Sequence, residues 1–377
     1  VNRERLERTF LELCRIPSPS GREGAVAAYI RRRLEAAGYV VEVDGAGAAL
    51  GSDTGNLIVR TPGAGGDSGP GESKGYREPL FLSAHMDTVP VPDLSEIPVE
   101  VTNGVAHTDG SSVLGGDDKA GVAVAMELLE SRHEGMRPLE VAFTVQEELG
   151  ARGAGYLRLQ AFRSGWGFNL DGEGPVYSAI RRAPSKYRYA VRVNGRRSHA
   201  AVEPREGRNA LLAAAEVALK LPQGLLDDDS TGNVAAIEGG GATNIVPGEA
   251  VIRGEIRSLR PERLQELREG IERAADLASY RDGISATVEW EHLYDGYELT
   301  EEDPPVRAFL DACAALTGEG GTLLESKGGG DANPINNKGI SVIVFGLGME
   351  NIHTTEERME LKNLSLATAL LERILTR

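Results

Sequence analysis

Five stretches of this chain deliver residues that bind metals or move protons. Leu80-Phe81-Leu82-Ser83-Ala84 runs into His85-Met86-Asp87. Val141-Ala142-Phe143-Thr144-Val145 runs into Gln146-Glu147-Glu148, and Gly167-Phe168-Asn169-Leu170 into Asp171. The run from Ile340 to Phe345 leads to a loop that reaches His353, and Gly115-Gly116-Asp117-Asp118-Lys119-Ala120-Gly121 opens a further segment. Imidazole nitrogen and carboxylate oxygen are donors that zinc takes. A carboxylate can bridge two metals roughly 3.5–4 Å apart, and metal binding lowers the pKa of water to around 7, which makes hydroxide available at neutral pH. A second carboxylate can take the proton of that water and pass it to a leaving amine. Glu147 and Glu148 can divide these tasks, because one of the pair need not be a ligand.

The elements that position these groups follow from the pattern. Each short apolar run reads as a buried strand, and open α/β sheets build their sites at the C-terminal ends of strands. The segment after Gly115 continues through Ala123, Met126, Leu128 and Leu129 as a helix. Aspartate at a helix start often only caps it and complements its dipole. Here the helix lies between two ligand-bearing strands, and a βαβ crossover returns the chain to the same end of the sheet, so Asp117 can face the same crevice. Upstream, helices are expected over Arg3–Cys14 and Arg22–Ala37 and strands over Val40–Val43 and Leu57–Arg60, followed by a Gly/Pro/Ser-rich surface excursion from Thr61 to Gly75. From Lys186 to Glu291 the order is strand, helix, strand, strand, helix, strand, the ferredoxin-like arrangement. That stretch carries no ligand cluster, and His353 comes only after it. The expected fold class is therefore α/β. A catalytic domain with a mostly parallel sheet spans residues 1–180 and 295–377, and a ferredoxin-like domain is inserted at 181–294.

A length of 377 residues fits two domains. The net charge of −16 argues against a nucleic-acid partner, which needs a basic face. No apolar run approaches the roughly 18–20 residues of a membrane span, and the first residues lack the apolar core of a signal peptide. Only Cys14 and Cys313 are present, so no disulfide framework is implied and a cytoplasmic location is expected. Two motifs mislead. Gly66-Asp67-Ser68-Gly69-Pro70 looks like a serine-protease nucleophile loop, but such enzymes place His and Asp before the Ser. Gly45-Ala46-Gly47-Ala48-Ala49-Leu50-Gly51 mimics a dinucleotide fingerprint without the helix that must follow, so both read as loops. His107, His133 and His292 read as ordinary loop or surface residues. Taken alone, His199 in Arg197-Ser198-His199-Ala200 reads the same way.

Taken together and in order, His85-x-Asp87, Gly116-Asp117-Asp118-Lys119-Ala120-Gly121, Glu147-Glu148, Asp171-Gly172, Ser198-His199-Ala200, Asn244-Ile245-Val246-Pro247 and His353 resemble the zinc-dependent peptidases of the M20 group, most closely its peptidase T branch. The resemblance spans almost the whole chain. It implies a zinc-peptidase catalytic domain with the inserted domain as a dimerisation lid, and two Zn²⁺ ions per subunit, with Co²⁺ or Mn²⁺ suited to the same donors. His85, Asp117 and Asp171 would hold one ion. Asp117, Glu148 and His353 would hold the other, Asp117 bridging. Glu147 would be the general base and acid, Asp87 would orient His85, and the Asp117–Asp118 peptide bond would be cis. His199 would stabilise the oxyanion, from its own chain or from the partner subunit of a homodimer. Asn244 and Arg257 would bind polar groups of the substrate. Lys327-Gly328-Gly329-Gly330-Asp331 resembles the group's glycine loop, in which the bare backbone of Gly329 and Gly330 can approach a substrate. It has glycine where peptidase T usually has threonine, which separates this chain from a strict tripeptidase pattern. The implied activity is hydrolysis of amide bonds in short peptides by an aminopeptidase. The alternatives are a deacylase or carboxypeptidase acting on N-acyl amino acids, and a catalytically silent peptide-binding protein. An intact Glu147 argues against the last.

Overall fold

The computed structural model describes residues 1–63 and 78–376, so the Gly66–Pro70 motif and most of the Thr61–Gly75 excursion lie outside the described residues. The chain divides into two compact units. One comprises Val1–Arg182, Tyr297–Glu325 and Gly330–Arg377, and the other Ala183–Gly296 with Ser326–Gly329.

The first unit is built on a sheet of nine strands among the described residues. Its centre is parallel and runs in the order Leu139–Thr144, Leu80–His85, Trp166–Gly172, Ser341–Gly346. Every residue of the first two is buried, which is why their sequences are continuous apolar runs rather than alternating ones. The helix Gly116–Glu130 makes the crossover between them and is buried along nearly its whole length. A side chain at Gly121 would collide with the carbonyl of Leu170, so the helix lies on the sheet only because that position is glycine. Antiparallel strands Leu57–Arg60 and Val41–Val43 extend one edge, and Ser178–Ala183 pairs antiparallel on the other side. The parallel strand ends therefore gather the residues named above along one edge.

Two features depart from the expectations. The segment read as a Gly-rich loop contains a five-residue helix, Ala46–Leu50, which packs so closely that a Cβ on Gly47 would collide with the backbone of Thr54. A second, small antiparallel sheet joins Val99–Thr102 and Val105–Thr108 to Met349–Glu350 and Arg358–Glu360. Its strands are only two to four residues long, too short for an apolar alternation to stand out. The loop between its last two strands carries His353.

In the second unit the long strands Ser185–Asn194, Ser230–Gly239, Glu249–Ser258 and Ser285–Tyr294 lie side by side in the order second, third, first, fourth, all antiparallel. Helices Ala210–Ala218 and Pro261–Ser279 bury Ala214 and Ile271 against Val191, Val193, Ile252 and Ile256 on one face. This is the ferredoxin-like plan with one added edge strand, Gly224–Asp227. Among the described residues no helix is long and apolar enough to cross a membrane.

Candidate metal centre

The strand ends bring five side chains together. Asp117 turns one oxygen to each of two imidazoles. Its Oδ1 lies 3.0 Å from His85 Nε2 and its Oδ2 lies 3.0 Å from His353 Nε2. Asp171 Oδ1 is 3.6 Å from the same His85 nitrogen, and Glu148 Oε1 is 3.0 Å from His353 Nε2. His85, Asp117 and Glu148 each place a donor atom within 4.8 Å of the others, and so do His85, Asp118 and Asp171. Asp118 differs from the rest, because its two oxygens already accept backbone N–H bonds from His85 (3.1 Å) and Gly121 (3.0 Å). It braces the strand end against the helix. The peptide bond between Asp117 and Asp118 is cis, and both residues leave helical geometry.

Two observations show that these residues fit a bound cation. The first is His85. Its Nδ1 sits 2.9 Å from the Asp87 carbonyl, which can only accept, so Nδ1 carries the proton. In the neutral ring Nε2 then presents a lone pair to two carboxylates, an arrangement that a metal between them resolves. The second is Glu148 Oε1, which is buried and has no hydrogen bond although His353 Nε2 is 3.0 Å away. Without a cation, protons must balance the charge. Burial acts to lower the His85 pKa, but the carboxylates of Asp171, Asp117 and Asp87 outweigh it and raise it well above the usual value. The carboxylates of Asp117 and then Glu148, each 3.0 Å from Nε2, push His353 up to about 10. Burial, reinforced by Asp117, pushes Asp171 up to about 8.

A frame of buried carboxylates holds the Glu147-Glu148 turn. Gln146 adopts a left-handed φ of 52°, and its N–H donates to Glu23 Oε1 at 3.1 Å. The N–H of Glu147 donates to Asp87 Oδ1 at 2.9 Å and that of Glu148 to Asp87 Oδ2 at 3.2 Å. Ser20 Oγ donates to the same Oδ2 at 2.6 Å. Asp87 meets the His85 ring through its carbonyl, and its carboxylate, 3.5 Å from Nδ1, also grips the turn. Glu147 is half-buried, and burial, with Asp171, Asp331 and Glu148 adding, raises its pKa well above the usual range. Gly330 backs directly onto it: a Cβ there would lie 2.8 Å from Glu147 Oε1 and 3.4 Å from Asp171 Oδ2.

The second unit places the other expected residues in two groups. His199 and Asn244 are neighbours, because Ser198–His199 pairs with Ile245–Val246 and the Ala200 N–H donates to the Asn244 carbonyl at 2.9 Å. His199 Nδ1 accepts from the N–H groups of Ala201 and Val202, both at 3.2 Å, which leaves Nε2–H as the free donor. Arg257 is elsewhere. It sits near the far end of Glu249–Ser258, paired with Lys186, and its guanidinium binds Glu255 at 2.8 Å. The Gly329 carbonyl accepts from Tyr294 Oη at 3.2 Å. Among the described residues, the sequence reading missed Glu23, Lys119 and Glu357 as buried supports. Lys119 Nζ donates to the Ile16 carbonyl at 2.8 Å, and burial pushes its pKa down to about 8. Nothing local marks Glu23 or Glu357, which lie in the polar stretches Ser20-Gly21-Arg22-Glu23-Gly24 and Thr354-Thr355-Glu356-Glu357-Arg358.

Comparison with known proteins agrees with this geometry. The family model described as peptidase family M20/M25/M40 matches residues 81–377. A Bacillus subtilis protein, YqjE, is 34% identical over 97% of this chain and 95% of its own. Two solved structures superpose over the full chain and 98% of their own length at 31% identity. They are a tripeptidase from Staphylococcus aureus with a TM-score of 0.88 and the aminopeptidase PepT from Bacillus cereus with a TM-score of 0.85. With a His/carboxylate cluster at the strand ends and a family match over most of its length, this chain belongs to peptidase family M20/M25/M40 and is a metallopeptidase-type enzyme.

Proposed function

We propose that this chain is a dinuclear, zinc-dependent aminopeptidase acting on short peptides, with Co²⁺ or Mn²⁺ able to serve. The observation that carries the proposal is Asp117, which turns one oxygen to each imidazole as a bridging ligand would. His85 and Asp171 complete one half of the centre, and Glu148 and His353 the other. Bound metals would polarise the scissile carbonyl and lower the pKa of a water. Glu147 takes that water's proton and returns it to the leaving amine, a role suited to a carboxylate whose pKa is already raised. Asp87 fixes the backbone from which Glu147 projects.

The inserted unit supplies substrate contacts in this proposal. His199, with Nε2–H free, donates to the developing oxyanion, and Asn244 and Arg257 bind substrate polar groups. Eight residues at about 3.3 Å each separate Arg257 from Glu249 at the other end of its strand, on the order of 25 Å. Arg257 lies at the end where the chain enters this unit, beside Lys186, whereas His199 and Asn244 lie beyond the other. That separation supports a homodimer in which one chain supplies Arg257 and its partner supplies His199 and Asn244. Buried free thiols at Cys14 and Cys313 suit a cytoplasmic enzyme.

The test is release of amino acids from di- and tripeptides with free and N-acetylated termini, using metal-loaded protein. Cleavage that requires a free amino terminus supports the aminopeptidase. Preference for the acetylated series would assign the chain to deacylation or carboxypeptidase action. No turnover of either set by fully loaded protein would leave a peptide-binding protein.

A further inference from the structure

The helix Gly116–Glu130 begins without a cap of its own. Gly115 occupies the capping position with φ 68° and has no side chain to receive the free N–H groups of the first turn. Two N–H groups at this helix start are received from about 240 residues away. Glu357 Oε2 accepts from Gly115 N–H at 2.8 Å and Glu357 Oε1 from Asp117 N–H at 3.0 Å. The carboxylate is fully buried, 1% exposed. It has room because residue 116 is glycine: a Cβ there would stand 3.1 Å from Oε1. Glu357 closes the same loop that carries His353, and its own N–H donates to the Thr354 carbonyl at 3.1 Å. Within that loop Thr354 Oγ1 donates to the Asn351 carbonyl at 2.7 Å.

We propose that Glu357 is a positioning residue that clasps the His353 loop to the backbone of Asp117 and thereby sets the metal position shared by Asp117, Glu148 and His353. The inference rests on the metal-centre reading above. The two halves of the centre are built differently. His85 and Asp171 stand on central strands, and His85 is 1% exposed. His353 stands on a solvent-facing loop, 47% exposed, with a left-handed φ of 65°. A non-glycine residue in that region is held there by its surroundings. Besides the small sheet flanking the loop and the direct contact of His353 with the Asp117 carboxylate, the Glu357 carboxylate ties the loop to the Asp117 backbone. Glutamine at 357 can accept one of the two N–H groups but turns a donor towards the other. The loop then loses its register against Asp117, while His85 and Asp171 keep the places their strands give them.

The experiment is titration of metal-free protein with Co²⁺, following the visible absorption bands and the bound stoichiometry after dialysis against a chelator. Wild type is expected to take up two ions. Glu357→Gln should bind one with wild-type affinity and the other about 10–100-fold more weakly, the usual consequence of losing a hydrogen-bonded support behind a ligand. Gly116→Ala, which crowds the same carboxylate, should weaken the same ion to a lesser degree. His353→Ala should abolish that ion's uptake, and adding Glu357→Gln to it should change nothing further. Two ions bound by Glu357→Gln with unchanged affinities would overturn the proposal. So would equal weakening of both ions, in Glu357→Gln or, should that variant not fold, in Gly116→Ala. Wild type that takes up fewer than two ions would instead overturn the dinuclear reading on which the proposal rests.

Discussion

The backbone N–H of Glu147 donates to the carboxylate of Asp87 at 2.9 Å across sixty positions of sequence. The proposed base is therefore aimed through its main chain by a residue that never needs to touch a substrate. Asp87 also accepts from Glu148 and Ser20. Asp87→Asn should lower kcat by about 10–100-fold, the range for losing a support behind a metal ligand. KM should move little. Steady-state kinetics on metal-saturated protein check this; an unchanged kcat would remove Asp87 from the catalytic frame.

Glu147→Ala should keep both metals and lose on the order of 10²–10⁴-fold in turnover, the contribution of general acid–base catalysis. Metal analysis beside the rate measurement separates a base from a ligand. Loss of an ion together with activity would reassign Glu147 to the donor set.

Gly330→Ala tests the contact behind the base. The added Cβ would meet the end of the flexible Glu147 side chain at 2.8 Å, so that carboxylate, rather than the backbone, must move. A displacement below 1 Å should lower kcat by about 10-fold. Thermal unfolding of the metal-free protein should be close to wild type, and a large fall in Tm would show that the glycine serves the fold instead.

The imidazoles set a proton balance with a definite sign. His353 is raised to about 10 by Asp117 and then Glu148. In metal-free protein it is charged at pH 7, and its stabilising contribution is complete below the ordinary His pKa and fades as pH rises through about 10. A metal needs the neutral ring. Metal uptake at pH 7 should therefore release protons, and affinity should climb with pH towards 10. Calorimetry in buffers of different ionisation enthalpy measures the release directly; heats independent of buffer would contradict it.

The two-group arrangement of the inserted unit predicts complementation. His199→Ala should depress turnover by about 10²–10³-fold, the usual value of an oxyanion donor. Mixing His199→Ala with Glu147→Ala chains should restore activity if His199 serves a partner's site, since one of the two composite sites is then intact. No recovery in demonstrated heterodimers would assign His199 to its own chain.

The parallel strands and the groups at their ends were legible because burial on both faces leaves an apolar run, and a charge at its tip then stands out. Leu80–His85 and Leu139–Thr144 announced themselves in this way. The supports did not. Nothing local connects Glu357 to Gly115, or Glu23 to Gln146, because each bond closes only after more than a hundred residues have folded between them. The Ala46–Leu50 helix was hidden by a glycine that is there for close packing, not for a turn. The separation of Arg257 from His199 could not be seen either, since it depends on strand register rather than on residue type.

The small sheet that joins Val99–Thr108 to Met349–Glu360 has a consequence for how the protein is made. His85, Asp117, Glu148 and Asp171 are all synthesised before the inserted unit, and His353 only after it. At about 5–20 residues per second, the ribosome adds the intervening stretch in roughly ten to forty seconds. Throughout that interval a nascent chain would carry four of the five proposed donors, while the half of the proposed centre that depends on the last sheet strands would not yet exist. Under the proposed mechanism, competence for hydrolysis would then arrive only once Met349–Glu350 and Arg358–Glu360 have been made and have joined Val99–Thr108 in one sheet.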